Sequence, residues 1–148
     1  MNCQLSIINY KLKAVSVMNA RDIIRVGIVS ATLPEKNMCR VTFPDEDNLV
    51  SSELRILHRG GVKNKDYWMP DVDDEVVCIF PTNDENYSDG FVMGCLFNEK
   101  SPPNAESQDI QRKDYSDGSY IEFDRSSGNL TIKVTGNIKL QAKRIDLN

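Results

Sequence analysis

One histidine, one tryptophan and no CxxC pair leave this sequence few parts for chemistry. The lone His58 has no nucleophile partner visible at a useful spacing. The four cysteines, Cys3, Cys39, Cys78 and Cys95, lack the spacing of a metal site. Neither a metal, a cofactor nor a catalytic residue is therefore expected. Cys78 and Cys95 sit inside apolar runs and read as buried thiols, with a disulfide across a hairpin as the alternative. That usage suits a chain made in a reducing cytoplasm. A basic excess is also missing. The net charge is −4, whereas a nucleic-acid binder normally shows a basic face. No run approaches the roughly 18 apolar residues of a membrane span. Lys11 and Lys13 interrupt the opening segment, so no secretory signal is expected there.

What is present is β pattern, most clearly in the tail, residues 117–148. Ile121 and Phe123 alternate with polar residues, as do Leu130, Ile132 and Val134, then Ile138, Leu140 and Ala142, then Ile145 and Leu147. Period-two alternation over short runs marks strands with one buried face. Ser126-Ser127-Gly128-Asn129 and Gly136-Asn137 are turn chemistry, because Gly and Asn tolerate positive φ. Short strands in series expose an apolar row and open edges. Either the tail folds back on the upstream domain, or it pairs with copies of itself. Three copies wound round one axis would bury every row and leave no side edge. That reading is preferred, and it makes Ile121, Phe123, Leu130, Ile132, Val134, Ile138, Leu140, Ile145 and Leu147 the expected trimer core.

Upstream, residues 1–22 form an N-terminal arm. Leu5, Ile8, Leu12 and Val15 share a helical face, so a docking helix and a frayed arm both remain open. Five short strands follow, at about residues 23–31, 38–43, 49–57, 76–80 and 91–97, with turn signals between them. This spacing suits a small closed barrel. A five-stranded OB-type barrel over residues 23–98 is expected, with a core of Val26, Ile28, Val41, Phe43, Leu54, Ile56, Val76, Cys78, Phe80, Val92 and Leu96. Residues 99–116 are polar and hold Pro102-Pro103, and they read as an extended linker. The expected fold is all-β: arm, OB barrel, linker, and a trimeric intertwined β-helix shaft over 117–148.

Four stretches carry a resemblance. They are Arg25-Val26-Gly27-Ile28-Val29, Arg40-Val41-Thr42-Phe43-Pro44, Trp68 through Val76, and Gly90 through Asn98 followed by Pro102-Pro103. In this order, ahead of a β-repeat tail, they resemble the baseplate assembly protein V family, the central spikes of contractile phage tails. Related spikes occur in R-type bacteriocins (tailocins) and type VI secretion systems. The family usually has Gly where this chain has Asp73. Many family members end in a His-x-His tip that binds iron, and this chain has only His58, so that site does not carry over. The resemblance then implies a separate PAAR-like tip protein and a baseplate hub above the barrel. The 99–116 linker is too short for the lysozyme domain that some relatives insert.

The remaining candidates have ordinary readings. Asp73-Asp74-Glu75 and Asp84-Glu85 sit in turn-like stretches and read as solvated loop charges. Tyr67 and Trp68 could form a stacking platform, but a core or interface tryptophan fits the acidic balance better. Lys133, Lys139, Lys143 and Arg144 read as a solvated outer face. The expected function is structural and not enzymatic. It is a homotrimeric spike in a virion or tailocin baseplate that contacts no nucleic acid and meets the target envelope only on contraction. The alternatives are an OB nucleic-acid module, which a salt-sensitive oligonucleotide titration would expose, and a cell-wall hydrolase, which a zymogram would expose.

Overall fold

The computed structural model describes residues 23–81 and 87–147. The arm and the Asp84-Glu85 pair lie outside these residues. The chain divides into two compact units, with the boundary between Leu96 and Phe97.

The first unit contains β1 (Ile24–Leu33), β2 (Met38–Phe43), β3 (Leu49–Val50), β4 (Leu54–Ile56), β5 (Glu75–Ile79) and β6 (Phe91–Leu96). The sheet order is β1-β5-β6-β4-β2-β3, and an added β1–β2 pairing closes it on itself. All pairs are antiparallel except β4 with β6, which is parallel. Counting β3 and β4 as one interrupted strand gives the five-stranded closed barrel expected from the turn spacing. The expected third strand, residues 49–57, breaks because Ser51 turns its hydroxyl onto the backbone. Ser51 Oγ accepts from Val41 N at 3.0 Å and donates to the Ser52 carbonyl at 2.8 Å. That local bonding replaces a rung of the ladder.

The barrel interior holds Val29, Cys39, Val41, Phe43, Leu54, Ile56, Val76, Cys78, Phe80, Tyr87 and Val92. Phe43, Phe80 and Tyr87 form an aromatic cluster with centroids 4.7–5.8 Å apart. Three expected core residues are outside: Val26, Ile28 and Leu96 are 43%, 39% and 42% exposed. The inward row of β1 is Arg25, Gly27 and Val29 instead. The cause is the close crossing of β1 over β2. A Cβ on Gly27 would lie 2.5 Å from Val41 Cγ1 and 2.7 Å from the Thr42 carbonyl oxygen. Only glycine fits on that side, so the larger Val26 and Ile28 face out. Because β1 is apolar on both faces, alternation alone could not choose between them.

The second unit contains β7 (Ile110–Asp114), β8 (Tyr120–Asp124) and β9 (Asn129–Lys133), an antiparallel sheet in chain order. The 99–116 stretch thus holds a strand where a linker was expected. Only Ile110 is apolar in β7, so no alternation betrays it. Its backbone ladder with β8 and the cross-strand pair of Arg112 with Glu122 hold it in place. The β7–β8 turn closes with Tyr115 N bonded to the Ser119 carbonyl at 2.9 Å, and Gly118 takes φ of 84°. In the β8–β9 turn Gly128 takes φ of 73°. Beyond Lys133 the described chain forms no strand, although the sequence pattern continues to Leu147.

Candidate functional site

The second unit has two unlike faces. Register places Ile121 opposite Ile132 and Phe123 opposite Leu130, so these four share one face of the sheet. Lys113 and Gln111 of β7 border them. All four are exposed, Leu130 to 62%. Val134 follows in the same alternation. Ile138, Leu140, Ile145 and Leu147 lie on the unpaired run and stand in solvent, Leu140 at 70% and Leu147 at 90%. Of the nine expected core residues, the single chain brings together four and leaves five along an extended segment.

The opposite face is polar and internally satisfied. The Arg112 guanidinium lies 3.7 Å from the Tyr120 ring centroid and pairs with Glu122 at 2.8 Å and Asp114 at 2.9 Å. Lys133 approaches the same ring at 5.7 Å. The hydrogen bond from Arg112 holds the Asp114 carboxyl below its ordinary range. One face therefore has its partners within the chain, and the other has an apolar row with none among the described residues. A soluble chain seldom leaves such a row uncovered.

The turns of this unit are fixed by carboxylates. Asp117 accepts from Thr135 Oγ1 at 2.7 Å and from the Ser119 backbone and hydroxyl at 2.9 and 3.0 Å. This clip holds Thr135 beside the β7–β8 turn and starts the extended run. Asp124 accepts from the Ser126 hydroxyl and backbone and from the Ser127 hydroxyl. These bonds hold its pKa down at about 2.

In the barrel, sequence patterning missed one constellation. Arg25 points inward, is 8% exposed and pairs with Asp45 at 2.9 Å and Glu46 at 2.8 Å. Its guanidinium also donates to the Tyr87 hydroxyl at 2.5 Å and lies over the Phe43 and Tyr87 rings. A buried cation needs such pairing. Here it ties β1 to the acidic turn after β2 and to Tyr87. The only sequence signal is an arginine within an apolar run.

His58 lines a cleft of about 320 Å³ with Asn37, Gly60, Gly61, Lys65, Asp66 and Tyr67. Its Nε2 is 2.6 Å from Asn37 Nδ2, and its ring lies nearly parallel to Tyr67. Among the described residues, no Ser, Thr or Cys lines this cleft. Trp68 packs against the barrel core, and its indole donates to the Leu57 carbonyl at 2.9 Å. Asp74 accepts from the Asp71 backbone at 2.9 Å, and Asp73 adopts φ of 76°, so this acidic stretch works as a turn. Cys39 and Cys78 are buried free thiols, pushed up by burial to about 11 and about 12. Cys95, expected to be buried, is exposed; it lies opposite Val76 and Cys78 opposite Val92, so the two are not cross-strand partners. Among the described residues no group of three or more His, Cys, Asp or Glu could hold a metal ion. On the β2–β4 side, Lys36 and Arg40 pair with Glu53, and Arg55 with Asp89.

The model of the type VI secretion system/phage-baseplate injector OB domain matches residues 25–97. The match assigns the barrel, not the whole chain, to the injector OB-domain family. The match begins at Arg25 and ends at Phe97, so it takes in β1 to β6 and stops before the sheet of the second unit. The inward Arg25 and Gly27 therefore belong to the injector OB domain itself. No curated protein matches the chain.

Proposed function

We propose that this protein is the homotrimeric central spike of a contractile injection machine, a phage tail or tailocin. Three tails wind into a shaft that is driven through the target envelope when a sheath contracts. The observation that carries this reading is the uncovered apolar row. Ile121, Phe123, Leu130 and Ile132 share one face, and the alternation runs on to Leu147 with no strand partner among the described residues. Copies of the chain would supply both missing partners, apolar surface for the row and backbone for the open edge of β9. The injector OB domain ahead of the tail supports the baseplate setting.

The mechanism is mechanical. Each aliphatic side chain buried contributes roughly 1.5–3 kcal/mol before ordering entropy is subtracted. Interchain ladders and a filled axis resist buckling. A baseplate hub would hold the barrel end, and a separate PAAR-like tip protein would cap the other. The chain works without catalysis, cofactor or nucleic acid, and is assembled in the bacterial cytoplasm before joining the particle.

Ile132→Asp and Leu140→Asp test the row directly. An unpaired carboxylate on the axis costs on the order of several kcal/mol in every copy. Both variants are expected to sediment as monomers at concentrations where the unaltered chain is trimeric. Normal trimers from both would overturn the assignment of the axial row.

A further inference from the structure

The barrel carries a second apolar face that no other described residue covers. Ile24, Val26 and Ile28 face outward along β1. Register sets Ile79 beside Ile24 and Val77 beside Val26 on β5. The rows continue onto β6, where Leu96 ends one and Met93 stands at the bulge. Across these three strands Glu75 is the only charged position on that side. Ile24, Val26, Ile28, Met93 and Leu96 are each 39–55% exposed. At the β4 edge the patch is rimmed by Arg55, which lies 4.5 Å over the Phe91 ring and pairs with Asp89. An apolar centre with a polar rim is the anatomy of a protein interface.

The composition and size of the patch point to its occupant. Recognition of a separately made partner relies on charges that reject wrong partners. Contacts between copies of one chain are the more apolar kind, and this face holds a single charge. The exposed area is on the order of a few hundred Å². That falls short of the ~800 Å² per partner of an interface that stands alone. A contact of this size holds when another element already brings the copies together, because tethering raises the effective concentration. We infer, on the three-copy reading of the tail, that the outer face of β1, β5 and β6 packs against the barrels of the other copies. The assembly then has two contacts between copies, a strong one in the tail and a weak one in the barrel.

The test uses the full chain with Cys3 and Cys95 replaced by serine. A nitroxide is placed on a cysteine at Ser30, an exposed rim position beyond Ile28. Mass is read by light scattering and label separation by double electron–electron resonance. The expected result is a trimer with label separations below one barrel width, roughly 30 Å. Val26→Glu, which alters only the outer face, should then lengthen and broaden the separations at unchanged trimer mass. A trimer whose labels stand more than a barrel width apart, unmoved by Val26→Glu, overturns the barrel contact and leaves the tail reading intact. The face would then be open to another protein. A monomer overturns both readings.

Discussion

At the residue scale, single positions decide which way the barrel strands face. Gly27 is small because β2 leaves no room for a Cβ, and that requirement sets the parity of β1. Arg25, two residues earlier, fills the inward position at the barrel end with a charge that Asp45, Glu46 and the Tyr87 hydroxyl offset. Asp73 is a different case. It takes φ of 76° while its backbone N–H bonds the Val29 carbonyl at 2.9 Å. A left-handed conformation costs a non-glycine residue about 1–2 kcal/mol. Glycine removes that cost but gives back about 0.5–1 kcal/mol in unfolded-state freedom. Asp73→Gly is therefore expected to stabilise the barrel by about 0.5–1 kcal/mol, a rise of several degrees in melting temperature for a domain of this size. A fall in melting temperature would mean that the Asp73 side chain contributes more than its backbone strain costs. Asp73 was legible as a turn residue because the resembling family carries glycine there. Arg25 was not legible, because nothing in its neighbours announces an inward cation.

At the element scale, the β8–β9 turn depends on one carboxylate. The hydroxyls of Ser126 and Ser127 and the Ser126 N–H hold Asp124 at about 2, below the ~3.9 of an unfolded chain. As pH falls, the unfolded state therefore takes up the proton first. The stabilisation is complete above about pH 4 and is lost as pH drops toward 2. Backbone amide exchange at residues 125–129 should quicken across that window, and Asp124→Asn should flatten the dependence. An unchanged profile in Asp124→Asn would show that another group sets it. The tail strands β8 and β9 were readable because apolar and polar residues alternate strictly there. β7 was not, since four of its five residues are polar and its pairing comes from backbone and Arg112. The break between β3 and β4 hides for a similar reason, as Ser51 bonds the backbone where β pattern alone would continue the strand. β1 was found as a strand and given the wrong inward face, because both of its faces are apolar and only tertiary crowding at Gly27 distinguishes them.

At the scale of the whole molecule, the two units differ in how complete they are alone. The barrel has a closed sheet and a filled interior. The second unit has a three-stranded sheet with one satisfied polar face, one bare apolar face and an extended run beyond it. On the proposed reading, an assembly of copies would complete the second unit, and the barrel's own fold does not depend on it. That difference is why the barrel was legible from turn spacing and from its family motifs, while the tail's partner had to be inferred from what one chain leaves uncovered. The most direct test is the mass of the full chain in solution by light scattering behind size exclusion. The account predicts three times the 16.8 kDa of one chain, unchanged on dilution through the micromolar range. A mass of one chain across that range would contradict it, and would mean that the apolar row of the tail is covered by something other than copies of itself.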